Sequence, residues 1–477
     1  MFIRSRAMAR ITPLIFLTLP GACAVIPDQT PTVSPKPVSS YETQQSFAAP
    51  EARWPSDAWW KNWGDSNLDA LVTEALASNP TLAETAARLA RAEAEAELAG
   101  APLYPDLTAN GQIAEQRLSQ NYVYPPGSIP KYWRSYPQTT ANMSWELDLW
   151  GKNHAALAAA TSEAEAAQAD LAQARLVLSS SLASAWAELA RLCATRDTNA
   201  AAVEVREKTV DLMRQRQTQG LETEIAVRRA ESRLASARGD LKATDEMIAL
   251  QKNGIAQLLG AGPDRALSIP RPHIDLAGAP GLPSNLAFGL LGRRPDVVAA
   301  RLRVEASERG IEHAEKAFYP NVNLSALIGF QSLSVEDFAR HGSLFGAVGP
   351  AVSLPIFDGG RLRGQLHETW ADRDLAVADY DRTLSTALRE VADTAVSLKA
   401  LGDRLAEAEA ANRSAEEAWR KMSNRYQGGL ATALDALTAE DEMLASRHPV
   451  DDLRSRAFAL DAALAKALGG GWQQTTI

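Results

Sequence analysis

The chain has 477 residues, 46% hydrophobic but only 6% aromatic, with a formal charge of −9 and a pI near 5.4. An acidic balance speaks against a nucleic-acid partner, which requires a basic face. No run of about 20 apolar residues is present, which excludes a membrane-spanning helix but not a β-barrel, whose alternating strands keep hydropathy low.

Residues 1–22 read as an export signal. Arg4, Arg6 and Arg10 precede an apolar core from Ile11 to Leu19 that is too short to span a membrane. The signal ends in Leu19-Pro20-Gly21-Ala22-Cys23, which resembles a lipoprotein processing site with Pro20 standing where that motif usually has Leu. Cys23 would then be the acylated first residue; the alternative is ordinary cleavage nearby with Cys23 a bystander. With Cys23 acylated, Cys193 has no disulfide partner and reads as a small packed helix residue. Residues 23–53, rich in Pro, Ser and Thr, read as an extended tether. The Trp cluster that follows (Trp54, Trp59, Trp60, Trp63) could form a carbohydrate platform. However, Leu68, Leu71, Val72, Ala75 and Leu76 share one helix side, so packing is the better reading.

From residue 54 onward the sequence is a duplication. Pro80 recurs as Pro295 and Tyr104-Pro105 as Tyr319-Pro320, at a spacing of 215. Gly151 recurs as Gly360, Gly220-Leu221 as Gly429-Leu430, and Leu259-Gly260 as Leu468-Gly469, at a spacing of 209. The register slips by six between the two strands of each half, where a loop shortens freely. The first repeat is 54–260 and the second 292–469, joined by a Pro-rich linker (261–291) and followed by a tail (470–477).

Each repeat begins with a helix whose Pro stands at a tolerated early position, then changes to a period of two. Strands are expected at about 103–118 and 134–149, and again at about 319–332 and 344–357. In the second strand Ala141, Met143, Trp145, Leu147 and Leu149 face one side. Thr140, Asn142, Ser144, Glu146 and Asp148 face the other, which would be a lumen if Trp145 and Leu147 face lipid. Tyr104, Tyr132, Trp133 and Trp150 flank the first strand pair, and Phe318, Tyr319, Phe345 and Phe357 the second, as interfacial aromatic girdles do.

No Pro or Gly interrupts Lys152 to Arg216, roughly 65 residues of helix or about 95 Å. Leu157, Leu171, Leu178, Leu182 and Leu189 form its core stripe, with counterparts Leu366, Tyr380, Ala387, Val391 and Leu398. A turn at Gly220-Leu221 leads into a return helix from Thr223 to Leu259. The second hairpin runs Leu362 to Tyr426, then Thr432 to Leu468 with Pro449 inside it. Four strands cannot close a barrel whose smallest membrane form has about eight, and open edges are not tolerated in lipid. The sequence therefore predicts an obligate oligomer: a shared barrel continued by a helical cylinder.

An enzyme is a poor fit, because His154, His273, His313, His341, His367 and His448 are scattered and no phosphate loop or nucleophile elbow is present. No metal or other cofactor is expected. A soluble coiled-coil scaffold explains the helices but not four alternating strands with aromatic ends.

On these motifs the chain resembles the TolC-like outer-membrane efflux proteins, in the NodT/OprM-type lipoprotein branch that partners resistance–nodulation–division pumps. The resemblance rests on WWKNWGDSNLDALVTEALASNP (59–80), LPSNLAFGLLGRRPDVVAARL (282–302), FYPNVNLSALIGF (318–330), FDGGRLRG (357–364), RYQGGLATALDAL (425–437) and ALGGGW (467–472). It implies a mainly α fold with a β-barrel: a homotrimer whose twelve-stranded outer-membrane barrel continues into a twelve-helix coiled-coil periplasmic tunnel. It implies as partners a periplasmic adaptor (membrane fusion protein) and an inner-membrane pump, with passive conduction of small molecules. The alternative within the family is the outer-membrane duct of a type I protein secretion system. The resemblance also gives the helix turns a role as adaptor contacts: Gln219, Gly220, Leu221 and Thr223 at one, Gly429, Leu430 and Thr432 at the other. Many relatives carry an acid nine residues after the second-tip Gly, as part of a gate. Here Thr438 holds that place, which leaves Asp435, with Tyr426 and Arg425, as gate candidates. Ala24, rather than Asp, follows Cys23, which in the lipoprotein sorting pattern implies the outer membrane.

Overall fold

Side-chain caps set the helix starts. Asp65 accepts the Asn67 amide and opens α1 (Ser66–Ser78), and Asn79 accepts the Thr81 and Leu82 amides to open α2 (Pro80–Gly100). The computed structural model describes residues 26–27, 32–43, 45–47, 53–121, 125, 127–128, 130–273 and 286–474. Cys23, the export signal and residues 274–285 of the linker lie outside the described residues. After α2 come β1 (Asp106–Gln116), β2 (Arg134–Glu146), α3 (Lys152–Thr218), α4 (Glu224–Leu258), α5 (Asp264–Leu267) and α6 (Leu286–Arg293). The second repeat follows as α7 (Pro295–Lys316), β3 (Asn321–Gln331), β4 (Leu344–Ser353), α8 (Arg361–Gln427) and α9 (Ala433–Ala467). The helix pairs α3/α8 and α4/α9 match in length, 67 and 35 residues each, so the duplication read from glycine spacing is a duplication of structure.

The chain forms two compact units. The first gathers residues 97–158 and 308–372, with the segment before Thr32. It holds one antiparallel sheet in the order β1-β2-β3-β4, open at both edges. Its helical core is Ala314, Phe318, Leu362, Leu366 and Trp370, against which Ile26 packs. Phe318, expected in an aromatic girdle, is therefore core, buried because the turn after α7 points it at the start of α8. Phe345, the second residue of β4 and opposite Gly329, stands at the start of its strand as expected.

The second unit contains residues 32–96, 159–307 and 373–477. Its largest core holds Trp59, Trp63, Leu68, Leu71 and Val72 against Leu182, Trp186 and Leu189 of α3 and Ile255 of α4. The Trp63 indole donates to Asp461 (2.7 Å) and the Trp186 indole to Asp65 (2.8 Å), so the cluster is packing and not a platform. Residues 32–41 are extended, as a tether should be, but they are strapped down. Thr32 and Val33 amides donate to Asp374 and the Lys36 amide to Asp381, one heptad further along α8. Val38, Tyr41 and Phe47 add packing against Val377, Tyr380 and Leu384.

The two repeats share a joint. Asn79 donates to the carbonyl of Leu258 at the end of α4 (2.9 Å). Its counterpart Arg294, only 3% exposed, donates to the carbonyl of Ala467 at the end of α9 and forms ion pairs with Asp296 (2.6 Å) and Glu390 (2.7 Å). Burial opposes the Arg294 charge, but these bonds and charges outweigh it and raise its pKa above the ordinary arginine value. Gly469 to Gly471 all have positive φ, and a Cβ on Gly471 would lie 2.3 Å from the Ser56 backbone. The GGGW ending is thus a close backbone crossing.

Candidate functional site

Two regions carry surface that the fold leaves unsatisfied: the sheet and the two long-helix turns. Cross-strand partners project to the same side, so the register assigns each side chain to a face. One face carries Leu107, Ala109 and Ile113 of β1 with Ala141, Met143 and Trp145 of β2. It continues through Val322, Leu324, Ala326, Ile328 and Phe330 of β3, and Leu344, Val348 and Val352 of β4. The opposite face carries Asp106, Thr108, Asn110, Gln112, Gln138, Thr140, Asn142, Ser144, Asn323, Ser325 and Gln331, interrupted by Leu327, Phe345 and Ala347. Gln112 donates to Gln138 (2.8 Å) and Tyr136 to Gln331 (2.9 Å) on the polar face, whereas the apolar face carries one polar pair at the strand ends, Ser135 donating to Glu115.

The apolar face lies open. Leu107 and Ile113 are each 74% exposed and Val348 76%. An uncovered apolar surface of this extent marks a face built for a partner or for lipid. Just beyond the strand ends stand exposed Tyr104, Tyr132, Trp133, Trp150, Tyr319 and Phe357. Trp150 stacks on Tyr319 at 5.3 Å and its indole donates to the Pro320 carbonyl (2.7 Å). The strands themselves are shorter than expected at their ends, because the chain leaves the ladder at these aromatics. Of the acids expected on the polar side, Glu146 is paired with Lys152 (2.7 Å), and Asp148 accepts the His154 amide near the start of α3.

The two helix turns are built alike. Gly220 and Gly429 both take left-handed φ (+72° and +71°). The next amide bonds back five residues in each case, Leu221 to Arg216 (2.8 Å) and Leu430 to Arg425 (2.7 Å), which closes α3 and α8. Thr223 and Thr432 then cap α4 and α9 through their hydroxyls. Asp435 completes a capping box, its carboxylate accepting both the amide and hydroxyl of Thr432. The same bonds hold its pKa below the ordinary carboxylate value. Arg425 donates to the Leu430 carbonyl (3.3 Å), and Tyr426 is exposed beside it. Leu221 and Leu430 project into solvent, and so do Ile225 and Leu434 one turn on. This second apolar pair was missed by sequence reasoning; extending the 209 spacing four residues past the Leu pair finds it. Gln219 lies exposed in the first turn.

A family model described as outer membrane efflux protein matches residues 71–261 and 289–470. The fusaric acid resistance protein FusA of Burkholderia cepacia is 32% identical over 474 residues, covering 96% of this chain and 87% of that protein. The multidrug resistance outer membrane protein MdtP of Escherichia coli K12 is 29% identical over 470 residues, covering 96% and 95%. Among solved structures, the outer membrane protein VceC of Vibrio cholerae is 45% identical, covers 88% of this chain and 100% of its own, and superposes with a TM-score of 0.80. The Campylobacter jejuni CmeC outer membrane channel shares the fold at 21% identity, with a TM-score of 0.83 over 94% of this chain and 96% of its own.

Proposed function

The chain belongs to the outer membrane efflux protein family, and from that premise we propose that it is the outer-membrane duct of a three-component pump, closed by three copies and conducting small molecules passively. It is an outer-membrane efflux channel and not an enzyme. The observation that carries the reading is the sorting of the sheet into an exposed apolar face and a polar face, with both edges open. The apolar face meets lipid and the polar face lines the passage. Three copies supply twelve strands and leave no edge unpaired. A wall of amides and hydroxyls offers no tight site, which suits a passive duct; direction and selection then belong to the pump. Small molecules are favoured as cargo because the relatives are named for fusaric acid resistance and multidrug resistance.

The facing is tested by placing Arg at Leu324 and, separately, at Asn323. A charge on the lipid side costs up to about 2–4 kcal/mol at the bilayer midplane and less toward the ends of the wall, so Leu324→Arg, near one end of the ladder, impairs outer-membrane assembly and Asn323→Arg does not. Equal assembly of the two variants removes the reading.

The tips are the surface for a periplasmic adaptor. Gln219, Gly220, Leu221, Thr223, Gly429, Leu430 and Thr432 frame two equivalent turns, and Leu221/Ile225 with Leu430/Leu434 supply their exposed apolar groups. Asp435, Tyr426 and Arg425 form the gate, Asp435 acting by fixing the turn that holds the other two. Asp435→Ala should raise conductance of the purified channel in a bilayer; unchanged conductance and gating removes the assignment. Cys23 carries the lipid anchor. Labelled palmitate should enter the native chain and not Cys23→Ser.

A further inference from the structure

The polar face of the four paired strands carries only three charged side chains: Asp106, Arg134 and Glu146. Lys152 neutralises Glu146 at 2.7 Å. Asp106 and Arg134 form no ion pair among the described residues. They stand at opposite ends of one ladder, Asp106 opposite Ser144 and Arg134 opposite Gln116. Asp106 is where the strand joins the turn after α2, and Arg134 is where β2 emerges from the loop. Ten residue steps separate the two levels, about 33 Å along the strands. Between them the face is neutral: Thr108, Asn110, Gln112, Gln138, Thr140 and Asn142.

We propose that Asp106 and Arg134 are charge filters of opposite sign at the two ends of an otherwise neutral passage, the first favouring cations and the second anions. The proposal rests on the reading that the polar face lines the lumen. A solute of either sign meets one favourable and one unfavourable level, and a neutral solute meets neither. The barrel section therefore discriminates weakly by charge, which suits chemically varied small molecules. Screening limits its reach: the Debye length is about 30 Å in 0.01 M salt but about 3 Å in 1 M.

The local potential can be read without reference to the state of the helix tips. Thr108→Cys and Ala114→Cys each place a thiol on the polar face, two residues from the level of Asp106 and of Arg134 respectively. In the full-length protein in liposomes, each is modified with methanethiosulfonates of matched size, one bearing trimethylammonium and one sulfonate. Rates are normalised to a free thiol and corrected for the parent chain. A unit charge about 7 Å away in water, little screened at 0.01 M salt, separates the two reagents by roughly five-fold. Thr108→Cys should prefer the cation and Ala114→Cys the anion. Asp106→Asn should abolish the first preference and Arg134→Gln the second, and both should vanish in 1 M salt. Equal normalised rates in low salt, or preferences that survive these substitutions, overturn the filters. If neither water-soluble reagent reaches the thiols while a membrane-soluble maleimide does, the lumen-facing assignment itself fails, and with it this proposal.

Discussion

Replacing Arg294 by Met removes a buried cation while keeping most of its volume. In the native protein Arg294 satisfies the Asp296 and Glu390 carboxylates and the Ala467 carbonyl. Breaking a buried pair by deleting one partner costs about 3–5 kcal/mol. Here the two carboxylates are 25% and 28% exposed and can turn toward water, which lowers the expectation to about 2–3 kcal/mol. Two comparisons fix the scale. Asn79→Ala in the equivalent joint deletes a neutral bond to Leu258 and a helix cap, worth about 1–2 kcal/mol. Arg309→Met breaks an exposed pair with Glu312, worth under about 1 kcal/mol. Thermal unfolding in detergent, followed by tryptophan fluorescence at one fixed scan rate, should order the losses Arg294→Met, Asn79→Ala, Arg309→Met. A loss for Arg294→Met no larger than for Arg309→Met would refute the argument that the joint of the second repeat is an ionic clasp.

Two further outcomes follow from the same unit. Burial raises the pKa of Asp461, opposed in part by the hydrogen bond from Trp63. An acid whose pKa rises on folding holds its proton more tightly in the native state, so stability is highest below the ordinary carboxylate range and declines as pH climbs through it to the raised value. Asp461→Asn, which keeps an acceptor for Trp63, should therefore raise the thermal midpoint at neutral pH, with the gain vanishing below about pH 4; a gain of equal size at all pH values would assign it to packing instead. Gly471→Ala places a Cβ against the Ser56 and Asp57 backbone at φ +85° and should destabilise by more than about 1–2 kcal/mol. Gly364→Ala, in open space on α8, should stabilise by about 0.5–1 kcal/mol; thermal shifts of the same sign for both would contradict the crossing.

Local chemistry made much of this fold legible. A helix stop at Gly220 or Gly429 and a start at Thr223 or Thr432 depend on residues within one turn, so both long hairpins fall where the sequence puts them. Alternation gave the sheet faces for the same reason: a period of two needs no knowledge of distant contacts. Long-range partners were not legible. Residues 32–41 look like a free tether because nothing near them marks the acceptors, which are Asp374 and Asp381 on α8. Phe318 is equally consistent with a girdle and a core until Leu362 and Leu366 are set beside it. Asn79 and Arg294 differ in chemistry, so a search for like residues passes over their shared role. The capping of Asp435 was within reach, since Thr432 precedes it by the three residues a capping box requires.

The open sheet has one consequence for abundance. A lone chain exposes two unpaired strand edges and a greasy face, and it gains relief only in company. If three copies close the channel, as proposed, the yield of finished channels scales as the cube of competent subunits while those subunits are scarce. Halving the supply of folded chain then cuts channels about eight-fold. A substitution that merely slows folding, far from any wall or tip, would on this account look like a defect in export.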